Sequence, residues 1–169
     1  NFYTFRPADG NENAASWHAA LNLNAPSAFV LSRQGLEPLA KGEFGEVSNG
    51  AYLLSSAKDA KITFIASGSE VSLCVKAAAI LAEQGIGANI VSAPCFDLLC
   101  EQPAEYVARI LDKNTTIIAV EAATGYEWYK FADAVYGMNS FGASGKANEL
   151  FDHFGFTPQK LANFASELI

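Results

Sequence analysis

The chain has 169 residues and a formal net charge of −7, and half of its residues are hydrophobic. This composition predicts a folded protein with a sizeable core and excludes a disordered chain. The acidic balance and the lack of a basic cluster argue against nucleic-acid binding, which needs a cationic face to displace counterions. No apolar run is long enough to span a bilayer. We therefore expect neither nucleic acid nor a membrane as a partner.

The three cysteines, Cys74, Cys95 and Cys100, lie in apolar segments. An odd number of buried thiols is typical of a reduced, cytoplasmic protein. The chain also lacks a basic region followed by an apolar stretch at its start, as a signal peptide would have. His18 and His153 lie far apart in sequence, and no CxxC spacing occurs, so no zinc site is predicted.

The beginning of the chain indicates that it is a piece of a longer protein. It starts at Asn1, and its one methionine is Met138. It also opens directly on an apolar segment with nothing upstream to lead into it.

The first 34 residues read as a β-α-β unit. Strands are predicted at Asn1–Phe5 and Ala28–Ser32, and a helix at Glu12–Leu23. The turn before the helix contains Asp9, which is a good helix cap. The crossover is expected to be right-handed.

Arg33 follows the second strand directly. In parallel α/β sheets, ligands bind outside the carboxyl ends of the strands. A guanidinium at that place offers a planar set of donors to a phosphate or carboxylate. From position alone, a structural ion pair or a plain surface arginine is the favoured interpretation.

The composition and the apolar periodicity change after Arg33. Gln34–Ser56 is rich in glycine and has no sustained period, apart from a short hairpin or edge strand at Gly50–Leu54. A structureless loop of this length is uncommon inside a compact domain, so a domain boundary between about residues 35 and 58 is predicted.

A strand, a turn and a helix dominate the second unit. Ile62–Ala66 is almost continuously apolar, which is typical of a strand buried on both faces of a parallel sheet. Ser67 and Glu70 have the spacing of a capping box before an amphipathic helix. The same turn is a candidate anion site, because free N–H groups and the helix dipole point there. The residues favour capping, since no P-loop or dinucleotide motif is present.

The remaining elements continue an alternating α/β pattern. Strands are predicted at Ala88–Ser92 and Thr115–Val120, and helices at Gln102–Leu111, Tyr126–Tyr136, Asn148–Phe154 and from Pro158 onward. Glu121 stands at the end of its strand, on the ligand-facing side. Closure of the strand end by an ion pair or hydrogen bond is the favoured interpretation.

Five segments together resemble the transketolase family. In chain order they are RPADGNE (Arg6–Glu12), LSRQ (Leu31–Gln34), ASGSEV (Ala66–Val71), FGASGKA (Phe141–Ala147) and LFDHFGFTP (Leu150–Pro158). Each motif alone is modest evidence, but their order and spacing agree with the family over essentially the whole chain.

The resemblance implies a specific architecture. It predicts the C-terminal part of a transketolase: the tail of the pyrimidine-binding domain (1–34), a linker (35–57) and the C-terminal domain (58–169). The fold implied is α/β, with a three-layer α/β/α domain around a mostly parallel sheet, preceded by a β-α-β remnant.

The resemblance also implies a chemistry. Transketolases move a two-carbon ketol unit between sugar phosphates with thiamine diphosphate and a divalent metal, Mg or Ca, at a site between the subunits of a homodimer. The arginine of the family's SRQ motif contacts the sugar phosphate, and this role carries over to Arg33. The family's cofactor-binding, metal-binding and catalytic residues have no counterpart here, and His18 and His153 do not match its histidines. We therefore expect the chain alone to bind no cofactor and to be inactive.

Two alternatives stay open. One is a non-catalytic α/β association module, which would not need Arg33. The other is the tail of a related thiamine enzyme, such as dihydroxyacetone synthase, a pyruvate dehydrogenase subunit or deoxyxylulose-phosphate synthase. The FGASGKA and FGFTP segments fit transketolase better than the last two.

Overall fold

The structure is a computed structural model that describes residues 1–43 and 45–169. Its strands are β1 (Tyr3–Phe5), β2 (Ser27–Phe29), β3 (Tyr52–Ser55), β4 (Ile62–Ala66), β5 (Ala88–Ser92), β6 (Thr116–Glu121) and β7 (Ala134–Gly137). Its α-helices are α1 (Gly10–Asn22), α2 (Glu70–Glu83), α3 (Phe96–Cys100), α4 (Ala104–Ile110), α5 (Ala147–His153) and α6 (Pro158–Ser166). Short 3-10 helices cover Val47–Asn49 and Tyr126–Lys130.

The first unit has the predicted β-α-β connectivity. β1 and β2 form a two-stranded parallel sheet with Tyr3 opposite Ser27, and α1 connects them. α1 begins at Gly10, two residues before the predicted start, because Asp9 caps it: the Asp9 side chain accepts a hydrogen bond from the Glu12 N–H.

The second unit is built on a five-stranded sheet with the order β3-β5-β4-β6-β7. The four strands from β4 to β7 are parallel, and β3 runs antiparallel along β5 at the edge. This confirms the mostly parallel α/β fold and the predicted edge strand. β3 lies inside the stretch predicted as a linker, and Phe44 of that stretch lies outside the described residues.

Hydrophobic residues cover both faces of this sheet. A continuously apolar strand such as β4 has no polar side to turn toward solvent, so both of its sides must be buried. Alternate residues of β4 point to opposite sides, so Phe64 packs against α2 and α6 on one face and Ile65 against α3 and α4 on the other. The second unit therefore has three layers, with helices on both sides of the sheet.

The predicted helix at Tyr126–Tyr136 is wrong. The chain forms a 3-10 helix at Tyr126–Lys130 and then the strand β7, which pairs with β6 from Ile118↔Ala134 to Glu121↔Gly137. The aromatic spacing marks residues that are buried, since Trp128 is in the core. It does not decide the backbone, because the open edge of β6 supplies hydrogen-bond partners that favour a strand.

The described helices include none that is long and apolar enough to cross a membrane.

Gly50 is a position where the fold requires glycine. Its φ is +84°, and a Cβ there would overlap the backbone nitrogen of Leu99 and lie 2.5 Å from the Cys95 carbonyl oxygen. Gly85 has a similar φ of +77°, but the space around it is open. Gly50→Ala should therefore lower the free energy of unfolding by at least about 2 kcal/mol more than Gly85→Ala, because only the first adds overlap to backbone strain. Urea unfolding of both variants measures the difference, and equal losses would show that the close packing at Gly50 is not required.

Candidate functional site

The carboxyl ends of the parallel strands meet at one edge of the five-stranded sheet, where such sheets usually bind ligands. In this protein the chain itself lies across that edge. The Arg6 N–H donates to the Pro94 carbonyl (2.7 Å), and the Arg6 carbonyl accepts from the Gly68 N–H (2.9 Å). The RPADGNE segment therefore occupies the place where a ligand would be expected.

An ion-pair cluster forms around the Arg6 side chain at this edge. One guanidinium nitrogen donates to Glu121 at 2.5 Å, and the other lies 3.7 Å from Glu70. The second carboxylate oxygen of Glu121 accepts from the Trp128 indole N–H at 3.3 Å. Both carboxylates are only 2% exposed. Arg6 therefore joins the first unit to the ends of β6 and α2, and the favoured interpretation of Glu121 is confirmed.

The cluster holds two buried acids against one base. Burial, together with the negative charge of Glu121, raises the pKa of Glu70 to about 7 from its ordinary value of 4.5, although Arg6 opposes the shift. One Glu70 oxygen, Oε2, has no hydrogen-bond partner among the described residues. Burial opposes the charge of Arg6, but the hydrogen bond and charge of Glu121 outweigh it and raise the Arg6 pKa. One guanidinium cannot balance two buried carboxylates fully, and the raised pKa of Glu70 favours its protonated form.

A second buried carboxylate, Glu12, holds α1 against the same sheet. It accepts hydrogen bonds from the Ala8 N–H (2.6 Å), from the Tyr52 hydroxyl (2.8 Å) and from the Ser92 hydroxyl. Burial raises the pKa of Glu12, and these three donors oppose the shift. Glu12 thus connects α1 to β3 and β5.

The predicted capping box at Ser67 and Glu70 is wrong. α2 begins after Ser69, which makes no side-chain bond to the helix end, and the Ser67 hydroxyl is buried with no partner among the described residues. Glu70 lies beside Arg6 and bonds Ser69, so it does not reach back to Ser67. The turn's Gly68 N–H binds the Arg6 carbonyl, which places the chain where the candidate anion site was expected.

Arg33 lies apart from both carboxylate clusters. β2 ends at Phe29, so Arg33 stands four residues beyond the strand rather than directly after it. Its side chain is exposed and makes no hydrogen bond or ion pair with the described residues. The structure therefore leaves the guanidinium free for a ligand, and its predicted phosphate contact stays a prediction.

The other candidate residues are scattered. His18 is exposed on α1, and His153 at the end of α5 packs edge-on against Phe154. The cysteines are free thiols, and burial raises the pKa of Cys95 to about 11. Residues 1–43 and 45–169 contain no group of three or more His, Cys, Asp or Glu side chains that could hold a metal.

Sequence reasoning missed that Arg6 pairs with both Glu121 and Glu70. The sequence did contain a signal for the pair of Arg6 and Glu121. Arg6 stands directly after β1, Glu121 is the last residue of β6, and arginine is scarce in the chain. What the sequence did not show is that these two strand ends, from different sheets, face each other.

Comparison with known proteins finds relatives that match the whole chain. A family model for the transketolase-like TK C-terminal domain matches residues 50–157. Transketolase 1 of Saccharomyces cerevisiae is 42% identical over 170 residues, which is all of this chain and 25% of that protein. The chain spans about a quarter of the length of the curated relatives that it matches.

Solved structures agree with this comparison. The crystal structure of transketolase from Campylobacter jejuni is 54% identical with a TM-score of 0.93, over 97% of this chain and 26% of that one. A Pichia stipitis transketolase solved with sedoheptulose-7-phosphate is 38% identical with a TM-score of 0.91, over 99% of this chain and 25% of that one.

Glu70 makes stability depend on pH with a defined sign. Because its pKa is raised when folded, the folded state binds more protons than the unfolded state between pH 4.5 and about 7. The free energy of unfolding should therefore fall as pH rises through this window. In Glu70→Gln, the decrease in the free energy of unfolding over this pH window should be smaller by about 2–3 kcal/mol. The decrease that remains is the part due to Glu12. Denaturant unfolding at pH 5 and pH 8 measures it, with Glu83→Gln, an exposed position on the same helix, as control. An unchanged slope in Glu70→Gln would contradict the assignment.

Arg6→Ala should lower the free energy of unfolding by about 2 kcal/mol, because it removes the cation beside two buried acids. Arg6 is itself partly exposed, so the loss should be smaller than for a fully buried ion pair. Arg33→Ala removes the same side chain from an exposed position and should leave the free energy of unfolding unchanged within error. Thermal and urea unfolding of the two variants compare the positions directly, and equal losses would disprove the stabilising role of the cluster.

Proposed function

The chain belongs to the transketolase family, and we propose that it serves within a transketolase that transfers a two-carbon ketol unit between sugar phosphates. The observation that carries the proposal is the match of essentially the whole chain to part of known transketolases. One of those transketolases was solved with sedoheptulose-7-phosphate. Because this chain spans a quarter of such proteins, we assign it one part of the activity rather than the whole.

That part is the binding of substrate phosphate by Arg33. The side chain is exposed, has no protein partner among the described residues, and follows a strand of the first unit. A guanidinium can give two charge-assisted hydrogen bonds to a phosphate, which adds affinity and orients the sugar. Arg33 would act by holding the non-reacting end of the substrate while the reacting carbons are aligned elsewhere.

Thiamine diphosphate and a divalent metal, Mg or Ca, are proposed for the whole enzyme. The described residues of this chain do not fit that group: the buried acids Glu70 and Glu121 are engaged with Arg6, and no three candidate ligands converge. When bound, the cofactor would supply the carbanion chemistry, with the protein providing binding and orientation. This chain alone is expected to be inactive.

We further propose that the first unit packs against other protein in a homodimeric enzyme. Five large apolar side chains of this unit are half or more exposed: Phe2, Trp17, Leu21, Val30 and Leu31. Such a concentration of exposed apolar surface is typical of an interaction face. The two-stranded sheet also has open edges, which favour pairing or cover.

The domain division at 1–34, 35–57 and 58–169 remains a proposal. Pairing of β3 with β5, and the family match from residue 50, support an earlier start for the last domain, near residue 50. A cytoplasmic location is proposed from the three free thiols.

One observation favours a second candidate, a non-catalytic association module. The carboxyl edge of the five-stranded sheet is occupied by Arg6 and Glu12 of the chain itself, so the second unit presents its usual ligand edge to protein.

Arg33→Ala in the enzyme that contains this segment should raise KM for phosphorylated substrates by about 10- to 100-fold, because a charge-assisted hydrogen bond to phosphate is lost. A ketol donor and an aldehyde acceptor that lack phosphate are the control, and their KM should not change. Arg33→Lys keeps the charge without the planar donor pair and should give an intermediate KM. Unchanged kinetics for every substrate would favour the association module and overturn the role of Arg33.

A further inference from the structure

The Asp9 carboxylate makes two hydrogen bonds that join separate parts of the chain. One oxygen accepts from the Glu12 N–H at 2.7 Å and so caps the start of α1. The other accepts from the Leu39 N–H, also at 2.7 Å. Asp9 is 6% exposed; its bond to Glu12 is buried, and its bond to Leu39 is partly buried. One buried side chain thus ties α1 to the far end of the segment that carries Arg33.

That segment, residues 30–39, has few other constraints. Its first residue, Val30, donates its N–H to the Phe5 carbonyl at 2.9 Å. Between the two ends, all residues except Leu36 are exposed. Glu37 forms an ion pair with Lys76 at 3.9 Å, but both side chains are mostly exposed, and such pairs contribute little. The Leu39 side chain also packs against the core of the second unit. The segment is therefore held at residue 30 by one backbone bond, and at residue 39 by this packing and by the bond to Asp9.

An open pocket of about 210 Å³ lies along one side of the segment. It is lined by Leu31, Ser32 and Gln34 of the segment, by Pro7, and by Gly10 at the start of α1. A segment beside such a pocket can shift once a terminal hydrogen bond is lost, because close packing does not oppose movement toward that side. The position of Arg33 should thus depend on the Asp9–Leu39 bond more than on contacts of its own neighbours.

We propose that Asp9 is a positioning residue for substrate phosphate binding: it holds residues 30–39 at Leu39 and thereby fixes the place of the Arg33 guanidinium. The inference rests on the proposed role of Arg33. Its physical basis is that a ligand-binding group held in place loses less conformational freedom on binding, and that small displacements weaken productive alignment.

The chemistry of the position favours aspartate specifically. Two acceptor oxygens on a short side chain are needed, because one must face the first turn of α1 and the other the Leu39 N–H. Serine is also a good helix cap, but its single short hydroxyl cannot make both bonds. Asp9→Ser therefore separates the cap, which it keeps, from the bond to Leu39, which it removes.

The test uses Asp9→Ser in the holoenzyme that contains this segment. KM for phosphorylated substrates should rise about five- to tenfold while kcat changes by less than about twofold, since the guanidinium is displaced but the reacting groups are not. Substrates without phosphate should keep their KM. In an Arg33→Ala background, Asp9→Ser should have no further effect on phosphorylated substrates, because the group that it positions is absent.

A structural measurement accompanies the kinetics. Amide hydrogen exchange should show faster exchange at Leu39 in Asp9→Ser, with α1 still protected. If Asp9→Ser does not fold, Asp9→Asn provides the same test, because its oxygen can cap α1 while its NH₂ group faces the Leu39 N–H, donor against donor. The kinetic effect should then have the same direction.

The outcomes separate this inference from the function on which it rests. If Arg33→Ala raises KM for phosphorylated substrates and Asp9→Ser does not, the positioning role of Asp9 is wrong and the role of Arg33 stands. If Arg33→Ala has no effect, the proposed phosphate contact is wrong and the inference fails with it. Equal losses on phosphorylated and unphosphorylated substrates would show that Asp9 is merely structural.

Discussion

The structure depends most on the ion-pair cluster of Arg6 with Glu121 and Glu70. It lies where three parallel strands of the larger sheet end, at an edge that would otherwise be open to solvent. A buried carboxylate is costly without a counter-charge, and the arginine that the first unit supplies is the cation beside both acids. The two units are consequently joined through charge as well as through apolar contact.

Glu12 and Asp9 extend this junction in two directions. Glu12 reaches the larger sheet through Tyr52 and Ser92, and Asp9 reaches the segment that leads from β2 to β3 through Leu39. The RPADGNE segment therefore joins the two units, with Arg6, Asp9 and Glu12 bonded to different parts of the chain. The proposed phosphate-binding Arg33 lies on the exposed segment that Asp9 bonds at Leu39.

This arrangement gives the two units different functions in the proposed enzyme. The larger unit uses its strand ends to hold the smaller one, which leaves that edge without room for a substrate. The smaller unit presents Arg33 and a concentration of exposed apolar side chains, among them Trp17 and Leu21. Substrate contact and association are thus proposed for the same 34-residue unit, and structural support for the unit that follows it.

The sequence by itself determined most of the strands, the α/β class and most of the helices, because apolar period and capping residues such as Asp9 and Thr157 act locally. The motif set also identified the family, which the comparisons confirm. Only the tertiary structure decided three features: that residues 134–137 form β7 along the open edge of β6, that Glu70 pairs with Arg6 instead of capping α2, and that Asp9 bonds Leu39. Each depends on a partner 16 or more residues away or on a neighbouring strand, and local sequence does not record which distant groups the fold brings within hydrogen-bonding distance.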